Sequence, residues 1–163
     1  MRLQRIDYVL ASCRAHLDST ASRSTEMEAY LVGYLLVIIC SAYEQRIKDL
    51  VIARSKHSKD VDLTSFVTGV SARVVRSIKC SEVAGVLGLF GSHCKEKFQQ
   101  DVNDTPAQVA YDNIINNRHM VTHGGGTNMT FADVEREYRK SRLVLDAMGS
   151  ALGLSPDDLA AFT

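Results

Sequence analysis

Residues 29–43 read AYLVGYLLVIICSAY, a run without a single charge. Glu26 and Glu28 precede it, and Glu44 and Arg46 follow it. A membrane-spanning helix needs ~20 consecutive apolar residues. The run is shorter, so it is expected to form the central, nearly all-round apolar helix of a bundle, or an oligomer interface. Gly33, Val37, Cys40, Ser41 and Glu44 share one stripe of that helix, and small residues there let a second helix approach closely. Thr25-x-x-Glu28 has the form of a capping box and marks the expected start. The helix is expected to continue to about Ala53.

On either side of this helix, helix signals recur and strand signals hardly appear. Leu3, Ile6, Leu10 and Leu17 place a first helix over residues 2–17. The charged tract 54–62 reads as a loop, followed by helices over 63–75, 81–91 and 92–102. Thr105-Pro106-Ala107-Gln108 is a helix start, with a capping threonine, proline at the first helical position and glutamine where a capping box wants it. That helix must end at Gly124-Gly125-Gly126, because glycine is a poor helix former that permits left-handed caps. Thr130 caps a last long helix running to about Met148. Ser155-Pro156-Asp157-Asp158 begins a short final turn that would dock Leu159 and Phe162. The expected fold is all-α, a helical bundle of four core helices with short extra ones, in one domain over residues 1–163.

Composition narrows the function. The 163 residues are 45% hydrophobic and 23% charged, with 19 basic and 19 acidic side chains. A general basic field for gripping nucleic acid is excluded, although a local patch is not. Cys13, Cys40, Cys80 and Cys94 include no C-x-x-C pair, and Asp7, Arg14 and Asp18 interrupt any N-terminal targeting pattern. These features predict reduced structural thiols in a cytoplasmic protein that is not membrane-bound.

The helix from Pro106 to His123 carries the most information. On a helical wheel Ala107, Ala110, Tyr111, Ile114, Ile115 and Val121 share one arc, and Arg118 falls near its middle. Asn113, Asn116 and Asn117 lie opposite. A buried charge is costly unless paired and hydrogen-bonded, and arginine cannot lose its proton. Arg118 therefore faces a carboxylate or lines a cleft that receives an anion. Glu44 is the candidate partner, because it sits on the small-residue stripe of the long helix. It can equally begin the solvated end of that helix and pair with Lys48. Arg118 and His123 point ~140° apart on an ideal helix. Either the helix unwinds before the glycines, or two copies of it combine their residues in one site, which predicts a homodimer.

Arg118-His119-Met120-Val121-Thr122-His123 resembles the R-x4–6-H motif of HEPN domains, which are α-helical bundles and in many cases metal-independent RNases. His119 fits the second motif position, commonly Asn, Asp or His in that family. The long helix with its acidic Glu44 resembles the family's second helix, and the likeness in helix order covers residues 2–148. The chain looks closest to small stand-alone prokaryotic members, including the RiboL-PSP-HEPN type. The resemblance implies an endoribonuclease acting on single-stranded RNA, with Arg118 and His123 catalytic. His119, Glu44 and Asn117 would support them, and no cofactor or metal would be needed. It further implies a setting in bacterial or archaeal stress, toxin–antitoxin pairing or phage defence, with a neutralising antitoxin or defence partner. A toxin branch of the family has tyrosine two residues after the histidine, where antitoxin partners modify it. This chain has Gly125 there, so that form of regulation is not expected.

Other signals are weaker. His119 and His123 lie four apart, as a metal pair would, but Met120 stands where a zincin needs glutamate. Arg136, Arg139, Lys140 and Arg142 crowd one helix with Glu135 and Glu137 among them, and Glu135 can pair with Arg139. Arg73, Arg76 and Lys79 form a second basic ladder. Each reads as a solvated face or as a phosphate-guiding patch. A non-catalytic helical module binding RNA or a nucleotide, or a dimerisation domain, is the alternative to an enzyme.

Overall fold

The computed structural model describes residues 2–76, 78–155 and 157–158. The described residues form seven helices and no strand: α1 (Arg2–Ser19), α2 (Glu26–Lys56), α3 (Val61–Val74), α4 (Cys80–Gly88), α5 (Ser92–Val102), α6 (Pro106–Thr122) and α7 (Phe131–Ala151). The apolar run at 29–43 lies within α2, which buries Val32, Leu35, Leu36, Ile39, Tyr43, Ile47 and Leu50. Those positions recur every three or four residues, as a helix facing several neighbours requires. Helices α1, α3, α6 and α7 all pack against α2. Helices α6 and α7 form an antiparallel hairpin, and α4 and α5 pack against α7. With its flanks included, α2 is long and apolar enough to cross a membrane, at mean hydropathy 1.4 over its most apolar window. In the bundle, 44% of that window is buried.

Three tyrosines from three helices stack where α2, α6 and α7 meet. The rings of Tyr43 and Tyr111 are 5.3 Å apart and nearly parallel, and Tyr43 and Tyr138 follow at 6.4 Å. Each such pair is worth about 0.5–1.5 kcal/mol beyond the area it buries. The hydroxyls of Tyr43 and Tyr138 are satisfied at the edges of the stack. Tyr43 shares a hydrogen bond with Ser141, and Tyr138 donates to the Leu3 carbonyl at 3.0 Å, which ties down the start of α1.

Several helix ends differ from the sequence reading. α2 runs on through Lys56, because Arg54 and Lys56 in its last turn suit the negative end of the helix dipole. α3 then starts at Val61, where the Asp60 carboxylate accepts the Leu63 amide at 2.9 Å. The capping box expected at Thr25 does not form. Thr25 donates its hydroxyl to the Ser22 carbonyl, and Glu28 reaches past Thr25 to the Ser24 amide. The other Glu28 oxygen accepts the Phe131 amide at 2.8 Å, at the start of α7. A buried carboxylate thus joins the positive ends of two helices, a stronger use of its charge than a local cap. Thr130 caps α7 as expected, and Asp133 completes a capping box with it. Ser155 and Asp158 close the expected final turn through the Asp158 carboxylate, while Leu159 and Phe162 lie outside the described residues.

Glu28→Ala should strip acceptors from two amides at helix starts and cost about 2 kcal/mol of stability. Glu28→Gln keeps one acceptor oxygen and should cost about half as much. Urea unfolding at neutral pH measures both, and wild-type stability in the alanine variant would show that the staple carries no weight.

Candidate functional site

α6 begins as the sequence indicates. Thr105 accepts the Gln108 amide at 3.3 Å, and the Gln108 side chain accepts the Asp104 amide at 2.8 Å. Its buried face comprises Ala107, Ala110, Tyr111, Ile114 and Ile115. Continuing that face for one turn brings Arg118 into the seam with α2. The seam is narrow, since a Cβ at Gly33 would lie 3.4 Å from the Val121 side chain. The small residues on the α2 stripe do allow the close approach.

Arg118 is half-buried, and its Nε is fully enclosed without a hydrogen-bond acceptor among the described residues. An enclosed donor left unmade costs about 1–3 kcal/mol, more when it belongs to a charge. Beside it lies Cys40, whose thiol points at the Ile114 carbonyl, 3.9 Å away. Burial pushes the Cys40 thiol up to about 12, with Arg118 pulling it down and Glu44 adding to the rise. Both charges act on the same sulfur, which places Glu44 and Arg118 along one seam. Glu44 is half-buried there.

His123 stands elsewhere on the helix. It is the C-cap residue and is exposed. Gly124 follows with a φ of +80°. The Gly125 amide returns to the Met120 carbonyl at 2.9 Å, and the Gly124 amide to Val121 at 3.3 Å. These two bonds make a Schellman cap, in which the residue after the C-cap must adopt a left-handed conformation. The glycines therefore act as a helix terminator. Arg118 turns into the bundle while His123 is presented at the helix end. His119 is half-buried, and its carbonyl accepts the His123 amide.

Asn117 has a clear structural task. Its amide group donates to the Asn113 carbonyl at 2.9 Å, and its oxygen accepts the Thr127 hydroxyl at 2.8 Å. Thr127 in turn accepts the Met129 amide at 3.1 Å. The loop that leaves His123 is thus strapped back onto α6 one residue from Arg118. Sequence periodicity offers no signal for Thr127, because the bond spans the glycine turn.

Two of the four bases of the α7 cluster are matched by acids, and Arg139 and Lys140 are exposed. Arg136 binds Asp133 and Glu137, and Arg142 reaches Asp7 while lying over the Tyr138 ring. Glu135 pairs with Arg14 of α1 in place of the expected Arg139. Links between α1 and α7 recur at Asp7 with Arg142 and at Leu3 with Tyr138. All four cysteines are free and buried. No cluster of three or more metal-ligating side chains occurs among the described residues.

An all-α bundle carrying an R-x4–6-H motif at the end of a late helix defines a HEPN-type domain, a class that often acts on RNA. The RiboL-PSP-HEPN family model matches residues 2–153, and the chain belongs to that family. No curated protein and no solved structure matches it.

Thr127→Val should release the strap. Amide exchange at Gly124–Met129 should quicken about tenfold, and stability should fall by about 1 kcal/mol. Exchange measured by NMR that is unchanged in this loop would show that the hydroxyl does not hold it.

Proposed function

We propose that this protein is a metal-independent endoribonuclease that cleaves single-stranded RNA by attack of the 2′-hydroxyl on the adjacent phosphate. The observation that carries the reading is Arg118 in the α2–α6 seam, with its Nε enclosed and without an acceptor among the described residues. A permanently cationic and only half-buried guanidinium suits a phosphate oxygen brought from outside the chain, which would offset its charge and let it spread that of the phosphorane. His123 supplies proton transfer, since an imidazole nitrogen can take a proton and give one back. One neutral imidazole takes the proton from the 2′-hydroxyl as the new O–P bond forms. A protonated one gives a proton to the departing 5′-oxygen as the old O–P bond breaks. The products are a 2′,3′-cyclic phosphate and a 5′-hydroxyl. Glu44 offsets the Arg118 charge between substrates, and His119 with Asn117 orients the helix end.

The two protonation states needed at once favour a second copy. A homodimer would bring His123 of the partner subunit to the same groove. An apolar stripe on α2 supports this arrangement. Met27, Tyr30, Tyr34 and Val37 are all exposed at helical spacing, and Met120 is exposed on α6. We propose a cytoplasmic setting in prokaryotic stress or defence, with an antitoxin or other neutralising partner, by family analogy alone.

The purified protein should cleave single-stranded RNA in the presence of a chelator, and DNA should resist because it lacks the nucleophile. His123→Ala should lose ~10²–10⁴ in rate. Arg118→Ala should lose ~10²–10³, and Arg118→Lys should recover only part of it because lysine has no planar fork. Glu44→Gln should lower activity without abolishing it. Undiminished cleavage by His123→Ala, or a strict need for added Mg²⁺ or Zn²⁺, would overturn the mechanism. RNA binding without cleavage that survives Arg118→Ala/His123→Ala would instead mark a binding module.

Light scattering at micromolar concentration should give twice the chain mass, and Tyr34→Glu should shift it toward monomer. Full activity in a strictly monomeric wild-type preparation would exclude the two-copy site.

A further inference from the structure

A second concave site lies at the other end of α2. Helix α3 packs on α2 and leaves its own apolar face open toward the end of α4. The space between them is a cleft of about 640 Å³, walled by Val51, Phe66, Val70, Val86 and Phe90. Phe66 and Val70 remain 67% and 38% exposed. The cleft takes no part in the seam that holds Arg118. Its volume falls inside the range of small-molecule sites, roughly 300–1,000 Å³, and its lining is apolar with polar groups gathered in a few places. A protein partner would need about 800 Å² of surface from each side, which a cleft of this size does not by itself supply.

The polar groups decide the ligand's head. Arg54, in the last turn of α2, and His57, just beyond it, both line the cleft. The Arg54 guanidinium donates to His57 Nδ1 at 3.0 Å, and His57 Nε2 lies 2.8 Å from the Asp158 carboxylate. The imidazole therefore accepts at one nitrogen and donates at the other, which fixes its ring. Arg54 is a cation with no carboxylate partner among the described residues, so the rest of its donor fork remains for an anion. We propose that the cleft binds a single-chain amphiphile, with its alkyl chain along Phe66 and Val70 and its anionic head, a carboxylate or a phosphate monoester, on Arg54.

The test is a titration of the full-length protein with decanoate, decyl phosphate, decanol and decyltrimethylammonium, followed by calorimetry and by amide NMR. Decanoate or decyl phosphate should bind one to one and move the amides of Phe66, Val70, Val86 and Leu89. The tighter of the two identifies the head group. Arg54→Gln should weaken binding about tenfold or more, the usual worth of a hydrogen bond to a charged group. Val70→Trp should fill the cleft and abolish binding. If that variant loses its helical circular dichroism, Phe66→Ser on the exposed rim should still weaken binding severalfold. Equal affinity for decanol or the ammonium amphiphile, or an Arg54→Gln variant as tight as wild type, would overturn the proposal. So would decanoate binding that appears only after removal of residues 159–163, which would make the chain's own C-terminus the occupant. Amide shifts in the cleft that follow protein concentration without ligand would assign it to a second copy and overturn the proposal equally.

Discussion

The grip of α2 and α7 on α6 is the constraint from which the rest of the molecule follows. Tyr111 of α6 stacks on Tyr43 of α2, and Tyr43 stacks on Tyr138 of α7. Flat rings at van der Waals spacing tolerate little rotation of the helices that carry them. Gly33 then admits the Val121 side chain, so α6 lies close to α2 one turn beyond Arg118. With the rotation of α6 fixed, Ile114 and Ile115 face the core and Arg118 has no choice but to follow them inward. The tyrosine stack contributes stability, and part of that stability offsets the cost of holding a guanidinium against an apolar seam.

The same rotation separates Arg118 from His123 within one chain. A helix continued regularly would carry His123 away around the cylinder, and the Schellman cap halts it at that residue instead. The histidine is left exposed at the negative end of the helix dipole, and the loop beyond it is tied back through Thr127 and Asn117. A half-buried fixed cation and an exposed imidazole are suited to different tasks, charge neutralisation and proton transfer. That division supports the ribonuclease reading, and it also explains why a second chain is an economical way to complete a site.

Charge pairing elsewhere keeps the surface from competing with the seam. Glu28 joins the starts of α2 and α7, Arg14 joins Glu135, and Arg142 joins Asp7. Each links helices that the apolar core already brings together, so each refines the packing more than it creates it. Arg136 and Arg142 of α7 are committed to acidic partners while Arg139 and Lys140 are exposed, so RNA attraction falls to local groups and not to a broad field. This agrees with 19 basic residues set against 19 acidic ones.

The sequence alone determined the all-α class, the order of the helices and most of their limits, because apolar period, caps and glycines are local signals. Pro106 and the glycines at 124–126 bracket α6 correctly, and Arg118 betrayed itself by standing on an apolar arc. The small stripe at Gly33 and Cys40 correctly announced a close helix contact. Contacts between residues distant in the chain were decided only by the tertiary structure. Nothing in the local pattern says that Glu28 will leave its own cap for Phe131, that Arg14 will take Glu135 from Arg139, or that Thr127 will close on Asn117. Nor does any periodicity reveal the cleft beside α3, whose face reads like any other amphipathic helix. The physical reason is the same in each case. A local signal is a property of one helix and its ends, whereas these contacts depend on the distances and rotations between helices, which are set only when the whole core packs.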